Sequence, residues 1–279
     1  FPPLHQAAAF GDLDAISRLV SPDTIETEDT WRRTPWLTAI HADQTDAAQL
    51  LRSLGADTAA TAHVGHTALH LAAGANAHNA IRYLFSLTSD INPRDEHQHT
   101  PLHEAAENDA LDAASLLIHA GADVQALTHT QDAPIHHAIS VEMLSMLHEA
   151  GADLNQMSGE GNWPLRNAAE SNDLASTRWL VRQGADINLA SSLGTALHAA
   201  VFEDNLEIAR CLLSAGIDPN KPDCNGDAPL SFVRSVEVAE LLLKAGADPT
   251  NRNMVNRLPS EDERSPEDVR NLIRSYQAS

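Results

Sequence analysis

The stretch over residues 100–124 reads TPLHEAAENDALDAASLLIHAGADV and predicts one complete helix, turn, helix and finger unit. Pro101 fixes φ in the first turn of a helix, where its missing N–H donor costs nothing. Ala105–Ala106 are small enough to let two helices approach closely, and Leu116–Leu117 supply the apolar stripe of a second helix. Gly121 predicts the end of that helix, because glycine takes a left-handed conformation without steric penalty. The polar residues that follow predict a projecting, hairpin-like finger.

This unit recurs along the chain in steps of 30–33 residues. Segments that resemble Thr-Pro-Leu-His occur at residues 2–5, 34–37, 67–70, 100–103, 133–136, 163–166, 195–198 and 228–231, with a degraded copy at 258–259. A second marker, close to Gly-Ala-Asp, stands in phase with the first at residues 55–57, 121–123, 151–153, 184–186, 216–218 and 246–248. Two independent markers in phase indicate true internal repetition rather than coincidence.

In both period and signature the chain resembles the ankyrin-repeat family over nearly its whole length. The resemblance implies an all-α ankyrin-repeat solenoid of about nine stacked helix-turn-helix units with projecting fingers. We expect a single domain over residues 1–279, with an N-terminal repeat near 1–26 and a C-terminal capping repeat near 251–279.

Two features depart from a regular array. The two 30-residue steps lose three residues each, and we place the loss in the turn between the helices, at residues 136–142 and 232–237. The curvature of the stack is expected to change there. Near the C-terminus, Ser265 reads as an N-cap and Pro266 as the first helical residue, which predicts a capping helix through Ile273.

The charge of the chain constrains its partners. Asp and Glu number 39 against 18 Lys and Arg, which gives a net charge of −21. Such a field repels phosphate, so neither nucleic acid nor an anionic membrane is expected as a partner. Two interpretations stay open: the acidity keeps a long surface soluble, or it attracts a partner with a basic segment. The polar C-terminal cap favours a monomer.

Location is indicated by what the sequence lacks. The two cysteines, Cys211 and Cys224, give no disulfide framework and favour a reducing, cytoplasmic compartment. No apolar run reaches the length of a membrane span, and no signal peptide opens the sequence. The abrupt start at Phe1 suggests that the chain is part of a longer protein.

Candidate binding residues are sought at corresponding positions of successive repeats, since fingers and first helices line the concave surface of such solenoids. The leading prediction is a protein-interaction module that grips an extended or basic segment of another protein in this groove. The predicted partner-binding residues are Trp31, Arg33, His63, His66, His97, His99, Glu104, Asp132, His137, Asn162, Trp163 and Arg166.

The tryptophans divide into two predicted classes. Trp31 at a finger tip and Trp163 in a Thr position are expected on the groove side, and exposed Trp and Arg are enriched at binding hot spots. Trp36 and Trp179 are expected to be buried. Arg166 replaces a signature histidine, so the sequence does not establish the hydrogen bond expected there, and the groove is the alternative location for the long Arg166 side chain.

Histidine is abundant, with 15 residues. The resemblance implies that the five in the signature are structural and tie adjacent repeats by hydrogen bonds: His5, His70, His103, His136 and His198. Among the rest, His66, His99 and Glu104 could converge on zinc, but without cysteine pairs or a His-Glu-x-x-His run we predict no metal and no cofactor.

Catalysis is the alternative to partner binding. His99, Glu104, Glu107 and His137 could act as acid and base, because histidine titrates near neutrality. No nucleophile elbow, phosphate-binding glycine loop or paired-carboxylate motif accompanies them. The sequence therefore favours a binding protein, with a non-classical enzyme or a metal- or small-molecule-binding protein using His99, Glu104 and His137 as the alternative.

Overall fold

The computed structural model describes residues 2–278, and within them the chain forms only helices, turns and one isolated β-bridge, between Ser191 and Gly194. The α-helices are α1 Pro3–Phe10, α2 Leu13–Leu19, α3 Pro35–His41, α4 Thr45–Ser53, α5 Ala68–Gly74, α6 His78–Leu84, α7 Pro101–Glu107, α8 Leu111–His119, α9 Val141–Glu149, α10 Pro164–Glu170, α11 Leu174–Arg182, α12 Ala196–Phe202, α13 Leu206–Ser214, α14 Val236–Lys244 and α15 Glu267–Gln277. Short 3₁₀ helices occur at His63–Gly65, Pro134–His137, Pro229–Phe232 and Pro259–Glu261. The predicted all-α repeat solenoid is confirmed.

By its internal contacts the chain divides into two compact units, one ending at Ala152 and the other beginning at Asp153. In the first unit α1, α3, α5 and α7 pack in succession, and α2, α4, α6 and α8 do the same. In the second unit α10 packs on α12 and α11 on α13. The single domain over residues 1–279 stays a prediction.

Each first helix begins as the repeat signature predicts. At α7, Pro101 occupies the first turn and Thr100 is the N-cap in an extended conformation. The N–H of Thr100 donates to Nδ1 of His103 over 3.1 Å. The alanines of this helix, Ala105 and Ala106, are fully buried, which permits close packing of neighbouring helices.

Second helices end at the predicted glycines. Gly121 follows α8 with a φ of 94°, and its N–H donates to the carbonyl of Ile118 over 3.0 Å. The N–H of Ala122 donates to the carbonyl of Leu117 over 2.9 Å, which satisfies a second carbonyl at the helix end.

The fingers are tight hairpin turns joined by backbone hydrogen bonds. In the third finger, Oδ1 of Asp95 accepts the N–H groups of His97 and His99, each over 2.8 Å. The N–H of His63 donates to the carbonyl of Trp31 over 2.9 Å, and that of His129 donates to the carbonyl of His97 over 3.0 Å. These bonds hold successive finger tips side by side.

The shortened repeats lose more than a turn. Where the sequence placed the deletion between the helices, the structure replaces the whole first helix by one 3₁₀ turn, Pro134–His137 in one repeat and Pro229–Phe232 in the other. In both repeats a serine then caps the second helix: Oγ of Ser140 accepts the N–H of Met143, and Oγ of Ser235 accepts that of Val238.

The C-terminal helix differs from its prediction. Ser265 does not cap it, because its buried hydroxyl donates to the carbonyl of Val233 over 2.9 Å. Pro266 takes the N-cap position, and α15 runs past Ile273 to Gln277 while burying Val269 and Ile273. Among the described residues, no helix is both long and apolar enough for a membrane crossing.

Candidate functional site

In the first unit, most of the predicted binding residues lie on the fingers and on the first helices or the 3₁₀ turn beside them. We call this set the groove surface: Trp31, Arg33, His63, His66, His97, His99, Glu104, Asp132 and His137. Trp31 is 62% exposed. His63 and His97 are also exposed, whereas the other members are partly buried.

Trp31 borders a depression of about 320 Å³ whose lining includes Arg33, His41, His63, His66 and Leu71. The Arg33 guanidinium is held in place by Asp29, whose Oδ2 lies 2.9 Å from one of its nitrogens. Burial would raise the pKa of Asp29, but hydrogen bonds from Arg33 hold it below its usual value, so the Asp29 carboxylate is charged at neutral pH. An exposed indole and a fixed cation therefore stand together at this end of the groove surface.

A group of titratable side chains, the acid–histidine cluster, occupies the middle of the groove surface: His66, Asp95, His99, Glu104 and His137. Nε2 of His66 lies 3.2 Å from Oδ2 of Asp95 and 3.6 Å from Oε1 of Glu104. Nδ1 of His99 lies 3.6 Å from the same Glu104 oxygen. The His99 and His137 rings meet edge to face, with centroids 5.3 Å apart.

The electrostatics of the cluster follow from these distances. The Glu104 carboxylate raises the pKa of His99, against the opposing effect of burial. Burial would raise the pKa of Glu104, but His99, His66 and His70 together hold it below its usual value. Burial lowers the pKa of His137, and the charge of His99 acts in the same direction. The cluster thus combines an anionic carboxylate with histidines of different proton affinity.

The structure brings together the three residues of the catalytic alternative, His99, Glu104 and His137. Glu107 has its carboxylate within reach of His99 and Glu104. Their catalytic use remains an untested prediction.

The signature histidines connect one repeat to the next. Nε2 of His70 donates to the carbonyl of His99, and Nε2 of His103 to that of Asp132, over 3.0 and 3.1 Å. In the second unit, Nε2 of His198 donates to the carbonyl of Asp227 over 3.1 Å. Burial lowers the pKa of these rings, that of His103 to about 3. The expected structural role is confirmed for these residues, and His5 makes the same link to Arg33.

Trp163 is not accessible to a partner, so the expectation that it contacts one directly is wrong, whereas a contact by Arg166 stays a prediction. Trp163 is fully buried, because the extended N-cap position before α10 directs its ring into the core. Arg166 is 8% exposed. Its guanidinium donates to Oδ1 of Asn162 and to the carbonyl of Thr195, over 2.9 and 3.1 Å. Arg166 therefore replaces the inter-repeat bond of the missing histidine, and Asn162 orients it.

The other two tryptophans differ from each other as well. Trp36 is buried as predicted, with 1% exposure. Trp179, which was also expected in the core, is only half-buried on α11.

Two features of the structure were not predicted from the sequence. Asp95 was not singled out, although Asp29, Asp95 and Asp223 all stand five residues before a Thr-like position, where each turns a finger. The second unit also holds a depression of about 330 Å³ lined by residues that include Arg166, Leu193, Phe202, Glu203 and Phe232. The signal for this depression that the sequence offered was the pair of apolar residues Leu193 and Phe202 in neighbouring repeats, which the structure leaves exposed.

Comparison with known proteins agrees with this architecture. A family model described as ankyrin repeats in three copies matches residues 4–95, 55–128, 86–158 and 165–253. The chain is 34% identical over 96 residues to the mouse B-cell lymphoma 3 protein homolog, covering 34% of this chain and 21% of that protein. It is 42% identical over 72 residues to mouse inversin, covering 25% and 7%, and 44% identical over 66 residues to the rice potassium channel AKT3, covering 23% and 7%.

The chain thus matches about a fifth or less of the length of each of these relatives. Ankyrin repeats are in general modules that bind other proteins. Because the family matches extend over most of residues 4–253 and the signature histidines link successive repeats, the chain belongs to the ankyrin-repeat family.

Proposed function

We propose that the groove surface of the first unit binds a segment of a partner protein. The observation that carries this proposal is the indole of Trp31, which is 62% exposed on a rigid finger. The N–H of Trp31 donates to Oδ1 of Asp29, and its carbonyl accepts the N–H of His63. A large apolar side chain on a fixed backbone loses little conformational entropy on binding, which is the property of a hot spot.

Arg33 and the histidines beside Trp31 supply the polar part of this surface. Asp29 fixes the position of the Arg33 guanidinium, so Arg33 places a positive charge beside Trp31 without further ordering. Glu104 and Asp132 place negative charge farther along the groove surface, where a basic side chain of the partner would be attracted. The proposed partner segment is therefore extended, with an apolar side chain against Trp31 and a basic one near Glu104.

The remaining parts of the proposal follow from charge and composition. A net charge of −21 favours a basic protein segment over nucleic acid or an anionic membrane. Cys211 and Cys224 are both free thiols, which is typical of a reducing compartment, so we place the protein in the cytoplasm. We propose that it acts as a monomer.

The test is a comparison of three forms of the full chain in affinity capture, followed by direct binding of the purified captured protein. One form is unchanged, one carries Trp31→Ala, His63→Ala and His97→Ala, and a matched control carries Arg52→Ala and His119→Ala. The control residues are exposed on the second helices α4 and α8 of the same unit. The finger variant should lose binding at least about tenfold, since a single hot-spot residue contributes about 2 kcal/mol or more.

Equal affinity of all three forms for the purified partner would contradict the proposal. Circular dichroism spectra and urea-unfolding midpoints of the three forms must agree, because exposed side chains contribute little to stability.

A further inference from the structure

We propose that His66, Asp95 and Glu104 form a binding site for a divalent transition-metal ion, with zinc as the reference ion. The three residues come from two successive fingers and the first turn of α7, and their ligand atoms all lie within 4.8 Å of one another. This site goes beyond the proposed partner-binding function, but it shares His66 and Glu104 with the groove surface, so an ion bound there would take the place of a basic partner side chain at Glu104.

The distances fit a small tetrahedral ion. Zinc lies about 2.0–2.1 Å from nitrogen and oxygen ligands, so two ligand atoms of a tetrahedral site are about 3.3–3.4 Å apart. The observed separations from Nε2 of His66 bracket that value, at 3.2 Å to Oδ2 of Asp95 and 3.6 Å to Oε1 of Glu104. All three ligand atoms lie within 4.8 Å of one another, so movements of the side chains can bring them to this spacing.

Asp95 supplies the independent evidence for a missing ligand. Its side chain is 1% exposed, and Oδ1 accepts two hydrogen bonds from the backbone of the finger. Oδ2 lies 3.2 Å from Nε2 of His66 but accepts no hydrogen bond, because the contact lacks hydrogen-bond geometry. A buried carboxylate oxygen without a hydrogen bond costs free energy, which an ion between Oδ2 and Nε2 would recover. The two backbone bonds to Oδ1 also fix the carboxylate with Oδ2 directed toward His66, as supporting bonds commonly orient metal ligands.

His66 is held by its surroundings as well. Its ring stacks on that of His70, with centroids 5.4 Å apart and planes 9° apart. The backbone carbonyl of His66 accepts the N–H of Ala62 over 2.8 Å, which closes the finger below the ring. The imidazole nitrogen therefore reaches the two carboxylates from a preorganised position.

The donor set limits the ion. A neutral imidazole with two carboxylates carries two negative charges and balances a divalent cation. Nitrogen and oxygen donors without thiolate suit zinc, manganese, iron or cobalt rather than Cu(I). Three protein ligands leave a fourth position open, which water fills in comparable zinc sites. The side chains of His66 and Glu104 are 22% and 14% exposed, so solvent reaches that position from the groove surface.

The best variant is Asp95→Asn, because it removes the charge of Oδ2 and keeps the acceptor that turns the finger. Asn253 shows that asparagine serves this turn, since its Oδ1 accepts the N–H groups of Val255 and Arg257. Asp223→Asn is the matched control, because Asp223 turns an equivalent finger and is in none of the potential metal groups found among the described residues.

The experiment measures zinc binding to the chelator-stripped full chain by competition with an indicator, and the visible spectrum of the cobalt form. We expect one tight zinc equivalent and a four-coordinate cobalt spectrum, both retained in Asp223→Asn. Asp95→Asn and Glu104→Gln should weaken the tight equivalent at least about tenfold, as substitutions at metal sites do. Absence of a tight equivalent, or equal affinities of Asp95→Asn and Asp223→Asn, would overturn the proposal. Circular dichroism verifies that each variant is folded.

Discussion

At the scale of single residues, the proton of a signature histidine is assigned by its neighbours. In His198 the backbone N–H of Thr195 donates to Nδ1 over 3.0 Å, so Nε2 carries the hydrogen that is donated to the Asp227 carbonyl. A second proton on Nδ1 would face that N–H, and burial penalises the added charge. Burial is the main reason why the pKa of His198 lies below its usual value.

The pH dependence of stability follows from this shift. The unfolded chain takes up a proton on His198 near pH 6.5, whereas the folded chain does so only at lower pH. The contribution of the neutral ring to the free energy of unfolding is therefore complete above about pH 6.5. It is lost as the pH falls toward the folded pKa, by about 1.4 kcal/mol for each pH unit between the unfolded and folded pKa values.

We expect urea unfolding to show a smaller loss of free energy between pH 7.5 and 5.0 in His198→Gln than in the unchanged protein. Glutamine can keep part of the hydrogen bonding and does not titrate. An identical or larger loss in the variant would contradict the assignment of the neutral ring.

Trp31 and Trp163 provide a second comparison at this scale. Trp163→Ala removes a fully buried ring and should lower the free energy of unfolding by about 3–5 kcal/mol. Trp31→Ala removes an exposed ring and should change it by no more than about 0.5 kcal/mol. Urea denaturation of both variants measures the difference, and similar losses would show that the burial of the two rings is wrongly assigned.

The same pair shows where sequence reasoning fails for single residues. A Thr position carries no information about which way a larger side chain turns, so Trp163 was expected in the groove although the N-cap geometry buries it. Arg166 left two outcomes open because its length allows either. Asp95 was not predicted as a site residue because its spacing from the repeat signature indicates only that it turns a finger. The contact between its second carboxylate oxygen and His66 exists only in the folded structure.

At the scale of elements, the glycines define how finger and helix fit together. Gly194 has a φ of 84°, and a Cβ there would lie 2.5 Å from Cγ of the buried His198 ring. Gly216, which follows α13, has a φ of 93° and open space around the same position. The two sites therefore differ in crowding while sharing a left-handed backbone.

Gly216→Ala should cost about 1–2 kcal/mol, the penalty for a left-handed residue with a side chain. Gly194→Ala should cost more, about 2–5 kcal/mol in total, because the ring of His198 must move as well. Thermal or urea unfolding of both variants gives the comparison. A smaller loss in Gly194→Ala than in Gly216→Ala would be inconsistent with the close approach of finger and ring.

Element boundaries were predicted where a strong local signal exists. Pro101 and Gly121 set the ends of their helices by backbone geometry alone, and the structure confirms both. The shortened repeats were recognised from their spacing, but the deletion falls in the first helix and leaves the 3₁₀ turn Pro134–His137. The spacing between repeat signatures shows how many residues are absent from a repeat but not which helix or turn is shortened.

At the scale of the whole molecule, repetition is why the fold could be predicted over most of the chain. Each repeat buries its apolar face only against its neighbours, so the same short pattern must recur wherever the array continues. The binding surface is free of that constraint, and its residues vary from repeat to repeat. The groove residues of the first unit could therefore be proposed by position, whereas their mutual contacts and their partner could not.

The central claim is that the groove surface of the first unit is where a partner binds. Site-specific photo-crosslinking tests it most directly, with the reactive group placed in turn at His63, His97, Arg52 and His119 of the full chain, which keeps Trp31 intact. All four positions are exposed, and the last two lie on the second helices α4 and α8. We expect one discrete cross-linked protein from His63 and His97 and none from Arg52 and His119. The same cross-link from the second-helix positions, or its absence from both finger positions, would contradict the claim.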